Sequence, residues 1–304
     1  MATVSAPSGR RHATSVGAKA PATKQEHREE RVKNVLYVIA AALSLVVFVV
    51  PLAWALLRSL QPGATITSAP DAATFFKLTL DNFRRLSDIA TIPRAIGNSV
   101  IVSLVTAVLT TLLATSAGYG FGRFRFRGSG AAFALILVTL MIPFQAILTP
   151  LFLELNAMRL TDSLLGLMLF YSTVNLPFGV FVMRTAFASV PGELEDAAHV
   201  DGAGTVRILT SVLRPLVLPG MATTALYAFL ASWTEFLGAL TFLTRQELYT
   251  LPVALLNLQQ GAYGSIDYGL LAAGSVIAMI PCIVLFVSLQ RFYVAGLSAG
   301  AVKG

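Results

Sequence analysis

Ionisable side chains are scarce in the apolar parts of this sequence, and where they fall limits the chemistry it can do. One acid stands out there: Glu235, in Trp233-Thr234-Glu235-Phe236. A carboxylate at membrane depth is costly, so it marks a pathway or a paired structural site, unless it sits shallow, near an outer mouth. The sequence leaves these three readings open. A proton relay would need more than one such group. The three histidines, His12, His27 and His199, lie outside the apolar runs, and none stands at metal-ligand spacing from another. HExxH, GxSxG and the phosphate-cradling GxxxxGK[ST] are all missing. Any work powered by a nucleotide would therefore draw on another polypeptide. Cys282 is the single cysteine and permits no disulfide within the chain.

The elements that must carry these residues are membrane spans. Of 304 residues, 56% are hydrophobic and only 12% charged, against about 25% charged in a soluble domain. The mean hydropathy is +0.74. The net charge of +7 does not point to nucleic acid, because there is no basic groove interleaved with aromatics. Residues 1–33 are basic and lack apolar periodicity, which predicts a disordered tail. It is a poor signal peptide: the apolar run after it is too long and no small-residue cleavage site is well placed. Residues 34–304 then form one all-α, polytopic domain of six transmembrane helices, near 35–57, 98–120, 131–152, 163–183, 217–242 and 268–292. Each is long enough for the roughly 20 residues a bilayer needs. Pro143, Pro150, Pro177 and Pro281 fall inside spans, where they either shape a path or only curve the helix. In 121–130, Arg123, Arg125 and Arg127 alternate with Phe124 and Phe126, which reads as a headgroup anchor.

Between the fourth and fifth spans lies a polar, acidic island, Pro191 to Pro219, in a loop of about 186–216. Pro191 suits a first helical turn. Glu193, Glu195 and Asp196 complement the positive end of a helix. Asp201-Gly202 reads as its stop, since glycine takes the left-handed conformation that ends helices. Ala197, Ala198 and Ala203 keep the surface low enough for another protein to approach. A second short helix, about 205–213, leads back into apolar sequence. The plain alternative is a polar loop with two helical turns. Fifteen of the 22 Lys and Arg fall in the tail, the loops on its side and the C-terminus, and seven in the opposite loops. Basic residues stay inside, so both termini and the acidic loop are expected in the cytoplasm.

Glu193-Leu194-Glu195-Asp196-Ala197-Ala198, Asp201-Gly202-Ala203 and Leu213-Arg214-Pro215 resemble the EAA loop of permease subunits of ATP-driven, binding-protein-dependent importers. Asp196 stands where that family usually has Glu, and Arg214 where it usually has Leu. Trp233-Thr234-Glu235-Phe236 is similar to the family's Trp-Asn-Glu-Phe box, with Thr234 replacing Asn. Tyr119-Gly120-Phe121-Gly122-Arg123-Phe124, Leu176-Pro177-Phe178, Thr250-Leu251-Pro252-Val253 and the ending Gly296-Leu297…Gly304 extend the likeness over nearly all of the chain after the tail. The ending resembles the carbohydrate, maltose-type branch.

The resemblance implies a type I ABC importer permease fold in a bacterial cell membrane. It implies a second permease subunit, two ATPase subunits that hold the ATP and Mg, an extracytoplasmic solute-binding protein and a sugar substrate. This chain would bind no cofactor or metal and would not itself be an enzyme. Glu193, Glu195, Asp196, Ala197, Ala198, Asp201, Gly202 and Ala203 would couple to the ATPase. Glu235, Trp233 and Asn175 become candidates for the translocation path. Gln259, Gln260 and Tyr263, in the loop near 257–268, become candidates for contact with the binding protein. Glycerol phosphate or a related sugar phosphate is the alternative cargo. A secondary transporter is a further alternative, but the sequence has no convincing repeat and at most one buried acid. A passive channel would need a filter or charged ring, and none is visible.

Overall fold

The structure, a computed structural model, describes residues 24–62, 77–259 and 267–301, with side chains described for 33–62, 77–259 and 267–288. Residues 1–53 and 54–304 form two compact units. The first is the greater part of helix α1 (Lys24–Ser59). It starts at Lys24, inside the stretch expected to be an unstructured tail. Glu, Lys, Arg and Gln dominate residues 24–33, all good helix formers, and Glu29 precedes Lys33 by the favourable four residues. From Lys33 to Ala53 every side chain is exposed. A helix apolar all round in this way suits lipid.

The second unit holds α2 (Asp81–Asp88), α3 (Thr91–Arg123), α4 (Ser129–Thr139), α5 (Phe144–Ala157), α6 (Leu164–Ala188) and α7 (Glu193–Val200). After it come α8 (Thr205–Thr234), α9 (Leu237–Phe242), α10 (Leu251–Gln259) and α11 (Tyr268–Ala301). The described residues contain no strand. Among the described residues, five helices are long and apolar enough to cross a membrane: α1, α3, α6, α8 and α11. The bent pair α4–α5 makes a sixth if it counts as one crossing.

That pair differs from the single proline-bearing span expected over 131–152. Its halves meet at 100°, with Pro143 heading α5 in extended conformation. The ring of Pro143 disfavours helix at Ile142 before it, so the break falls there. The apolar run then continues as α5 to Ala157, five residues past the expected end of the span at 152. A second difference concerns α8. The helix expected over 205–213 is not separate from the fifth span. It runs into that span through a π-helical stretch, Ile208–Leu213. The span itself stops at Thr234 rather than reaching 242.

The core of the second unit is where α3, α6 and α8 meet. Their backbones approach so closely that side chains larger than hydrogen do not fit at three points. A Cβ on Gly118 would lie 2.4 Å from Met183 Cβ, one on Gly179 2.8 Å from Ala114 Cβ, and one on Gly220 2.8 Å from Ala186 Cβ. On α3 the buried face reads Ser99, Ser103, Thr106, Thr110, Ala114, spaced by three or four residues as one side of a helix requires. Small residues serve this purpose in membranes, where lipid is as apolar as the core and close van der Waals contact must drive helix association. Around this seam, Leu167, Phe170 and Tyr171 of α6 pack with Phe242 at one end. Met183 and Phe187 of α6 pack with Ile208, Leu213 and Val217 of α8 at the other.

Polar side chains fasten the connections. Asn98 Nδ2 donates to the carbonyls of Glu247 and Tyr249, and Ser99 Oγ accepts from Leu251 N–H. Asn82 donates to the carbonyls of Ser59 and Gln61. Before α6, Asp162 accepts from the N–H groups of Thr244 and Arg245 at 3.0 and 3.1 Å, and pairs with Arg245 Nε at 2.6 Å. The Thr244 N–H above all, aided by Arg245 against partial desolvation, holds the Asp162 carboxyl down at about 2.

Two outcomes follow. Gly118→Val forces α3 from α6 and lowers stability by about 1–3 kcal/mol, as overpacking does; thermal unfolding of the detergent-solubilised protein measures it. Because the folded pKa of Asp162 lies below its ordinary 3.8, its clamp contributes fully above that value and fades as pH falls towards 2. Unfolding midpoints read against pH show this acid step in the native chain and lack it in Asp162→Asn.

Candidate functional site: the α7 hairpin and the Glu235 joint

The acidic island forms a hairpin between α6 and α8. Helix α7 opens after Ser189–Gly192 with Glu193, Glu195 and Asp196 in its first turn, where negative charge meets the helix's positive end. It closes as the sequence leads one to expect. Gly202 is left-handed, with φ +79°. Gly202 N–H donates to His199 O at 3.0 Å and Ala203 N–H to Ala198 O at 2.9 Å. This is the paired 6→1 and 5→2 closure of a glycine-ended helix. Ala198 and Ala203, the two residues whose apolar contact usually accompanies it, both pack on the core cluster of Met183, Phe187 and Ile208.

The hairpin's expected coupling residues therefore face two ways. Glu193, Asp196, Ala197, Asp201 and Gly202 are exposed. Glu195, Ala198 and Ala203 are half-buried. Positions 195 and 198 are three apart and share the inner face of α7, so two of the three alanines read as keeping the outer surface low instead seat the hairpin on the bundle. Glu195 pairs with Arg123 Nε at 2.5 Å, the two side chains being 15% and 14% exposed. Arg123 is the last residue of α3. Arg184 of α6 stacks 3.9 Å over the ring of Phe133 of α4, which fixes the bent pair beside this end of the bundle.

At the opposite end of α8 the helix breaks at Glu235, which is extended (φ −70°, ψ 132°). Its carboxylate takes over the hydrogen-bonding of the new helix start. Both oxygens accept from Gly238 N–H at 2.9 Å, and Oε2 accepts from Ala239 N–H at 3.2 Å. Tyr171 of α6 donates its hydroxyl to Oε2 at 2.5 Å. A Cβ on Gly238 would come within 2.8 Å of the Phe170 ring and 2.9 Å of Glu235 Oε2, so a larger residue would push on the cap itself. Glu235 thus caps the new helix and is tied to α6.

Its companions are likewise fastened. Trp233, 2% exposed, donates Nε1–H to Ala278 O of α11 at 2.9 Å. Asn175 is buried and donates to Tyr171 O. Thr234, where the resembling box has Asn, bonds back to Leu230 O. Gln259 is exposed at the end of α10; Gln260 and Tyr263 lie outside the described residues. Sequence reasoning missed Tyr171 and Arg123 as site residues. Tyr171 sits in an ordinary apolar run and Arg123 in a basic turn read as a headgroup anchor, so neither carried a signal of a partner 64 or 72 positions away. No cluster of His, Cys, Asp or Glu suited to a metal occurs among the described residues.

This architecture is that of a type I importer permease. The crystal structure of a bacterial ABC transporter involved in import of the acidic polysaccharide alginate matches it with a TM-score of 0.74 at 21% identity, over 90% of this chain and 100% of that one. The chain belongs to the family of binding-protein-dependent transport system inner membrane components, whose model matches residues 111–298. It is 31% identical over 279 residues to the trehalose/maltose permease protein MalG of Thermococcus litoralis, covering 91% of this chain and 99% of that protein. It is 35% identical over 275 residues to the arabinooligosaccharide permease protein AraQ of Halalkalibacterium halodurans, covering 88% and 96%. It is therefore a multi-pass membrane permease subunit of an ABC transporter.

Replacing Glu235 by Ala strips three N–H and O–H donors of a charged acceptor. Hydrogen bonds to charged groups contribute about 1.5–3 kcal/mol each, and water relieves part of the loss, so Glu235→Ala lowers stability by about 2–3 kcal/mol. Glu235→Gln keeps one acceptor oxygen and loses less. Thermal unfolding in detergent ranks the two.

Proposed function

We propose that this chain is one of two pore-forming subunits of an importer that brings a di- or oligosaccharide into the cytoplasm, and that the α7 hairpin is where ATPase subunits pull on it. The observation that carries the reading is the hairpin's outer face. Glu193, Asp196, Ala197, Asp201 and Gly202 stand exposed on a capped helix that runs directly into a span through α8. The excess of Lys and Arg in the loops on that side supports a cytoplasmic hairpin and cytoplasmic termini. The substrate class rests on the relatives named for trehalose, maltose and arabinooligosaccharides.

In this mechanism the ATP and Mg are held by two partner ATPase subunits, and this chain supplies no catalytic group. Closure of the ATPase pair displaces α7. The stiff α8 and the close-packed α3–α6–α8 seam carry the movement across the bilayer, since packed elements switch between discrete arrangements. The path then opens to the outside, where a solute-binding protein surrenders its sugar; Gln259 at the end of α10 is on the surface offered to it. Hydrolysis resets the inward state. Glu235, Trp233 and Asn175 hold the helices beside the path rather than touch the cargo.

The test is uptake by proteoliposomes carrying the reconstituted complex. Labelled trehalose or a maltodextrin should enter with ATP, and glycerol phosphate should not. Gly202→Val has room for its side chain but strains a left-handed backbone, by roughly 1–2 kcal/mol, and places bulk on the docking face. It should cut ATP-driven uptake at least tenfold. Undiminished uptake would sink the docking role, and uptake driven by a proton gradient without ATP would sink the importer reading.

A further inference from the structure

The half-buried ion pair beneath α7 has a role that the coupling hypothesis does not supply. We propose that Arg123 is a positioning residue. By pairing with Glu195 it sets the rotation of α7 about its own axis, and so decides which face the hairpin offers. The proposal rests on the reading of the hairpin given above and specifies how its docking face is held.

Three observations carry it. First, α7 has little apolar area with which to seat itself. None of its eight residues is buried, and Glu195 and Ala198 are the two that are half-buried. Second, its two larger apolar side chains are left uncovered in part or nearly whole: Leu194 is 42% and Val200 87% exposed. Burial of apolar surface would favour turning Leu194 inward. Adjacent helical residues are 100° apart, since 3.6 complete a turn. A turn of about that size would bring Leu194 to the place of Glu195 and carry Ala197 towards the core. Third, what stands in Glu195's place is a charge pair, 14% and 15% exposed, at 2.5 Å. Screening by water is weaker there than at an open surface. The pair also suits both helices, with a cation in the last turn of α3 and an anion in the first turn of α7. The hydrophobic preference of α7 and its observed orientation thus disagree, and the Arg123–Glu195 pair is the contact that holds the second against the first. The result is an outer face on which Val200 joins Glu193 and Asp196, with Leu194 at its edge, an apolar and acidic surface suited to a partner protein.

Thiol labelling of the full chain in membranes, without any ATPase subunit, tests this. Cys282 is the only cysteine, so a Cys282→Ser, Ala197→Cys chain reports the outer face of α7 alone. Maleimide should label it readily. Adding Arg123→Gln should slow labelling at least threefold, Glu195→Gln should do the same, and Arg123→Lys should restore most of the rate. Unchanged labelling in the Gln variants overturns the proposal. So does failure of both Gln variants to insert, which would make the pair a builder of the bundle rather than a setting for α7. Sugar uptake by the reconstituted complex separates the two ideas. Slow labelling with full uptake would leave the rotational role intact and sink the hairpin as the coupling element. Unchanged labelling with a defective Gly202→Val would do the reverse.

Discussion

The close approach of three helix backbones is the constraint on which the second unit of this protein depends. In a bilayer there is no water to squeeze out, so α3, α6 and α8 associate only as far as their surfaces fit. Gly118, Gly179 and Gly220 remove the side chains that would hold them apart, and Ser and Thr line the remaining contact face of α3. Both candidate site elements hang from the ends of these helices. The α7 hairpin joins α6 to α8, and the Glu235 joint ties α8 to α6 at the other end. A displacement at one end has little slack in which to be lost.

The two acids of most interest are used in opposite ways. Glu235 looks, on sequence grounds, like an exposed liability in apolar surroundings. In the fold it stands in for the missing turn at a helix break and accepts from two backbone N–H groups and a tyrosine. A charged acceptor satisfied three times is well paired for a half-buried group. Glu195 lies outside the spans and reads as one more surface acid. It turns inward onto Arg123, while the apolar Leu194 and Val200 stay 42% and 87% exposed.

Much of this was legible without coordinates. The spans followed from apolar length, and the end of α7 from Asp201-Gly202, because only glycine takes that conformation cheaply. The kink in the third span was half legible: Pro143 was seen, but a proline in a membrane helix can bend it slightly or break it, and the 100° outcome depends on what receives the two halves. The continuity of α8 was half legible. Residues 205–213 read as a separate short helix, whereas the apolar side chains of Ile208, Leu213 and Val217 are buried against Met183 and Phe187 of α6 and keep the helix going into the span.

What the sequence settled by itself is whatever rests on local chemistry: membrane residence, five of the six expected crossings, the charge bias of the loops, the capped acidic hairpin and the likeness that placed the chain in its family. What only the tertiary structure decided are the pairings between distant positions. Tyr171 with Glu235, Arg123 with Glu195, Trp233 with the Ala278 carbonyl and the glycine contacts of α3 with α6 all depend on how helices rotate and slide against one another. A periodic apolar sequence fixes that a helix forms and roughly which side is small. It does not fix which turn of the neighbour that side will meet, because in lipid many registers bury similar surface and only the detailed fit chooses among them.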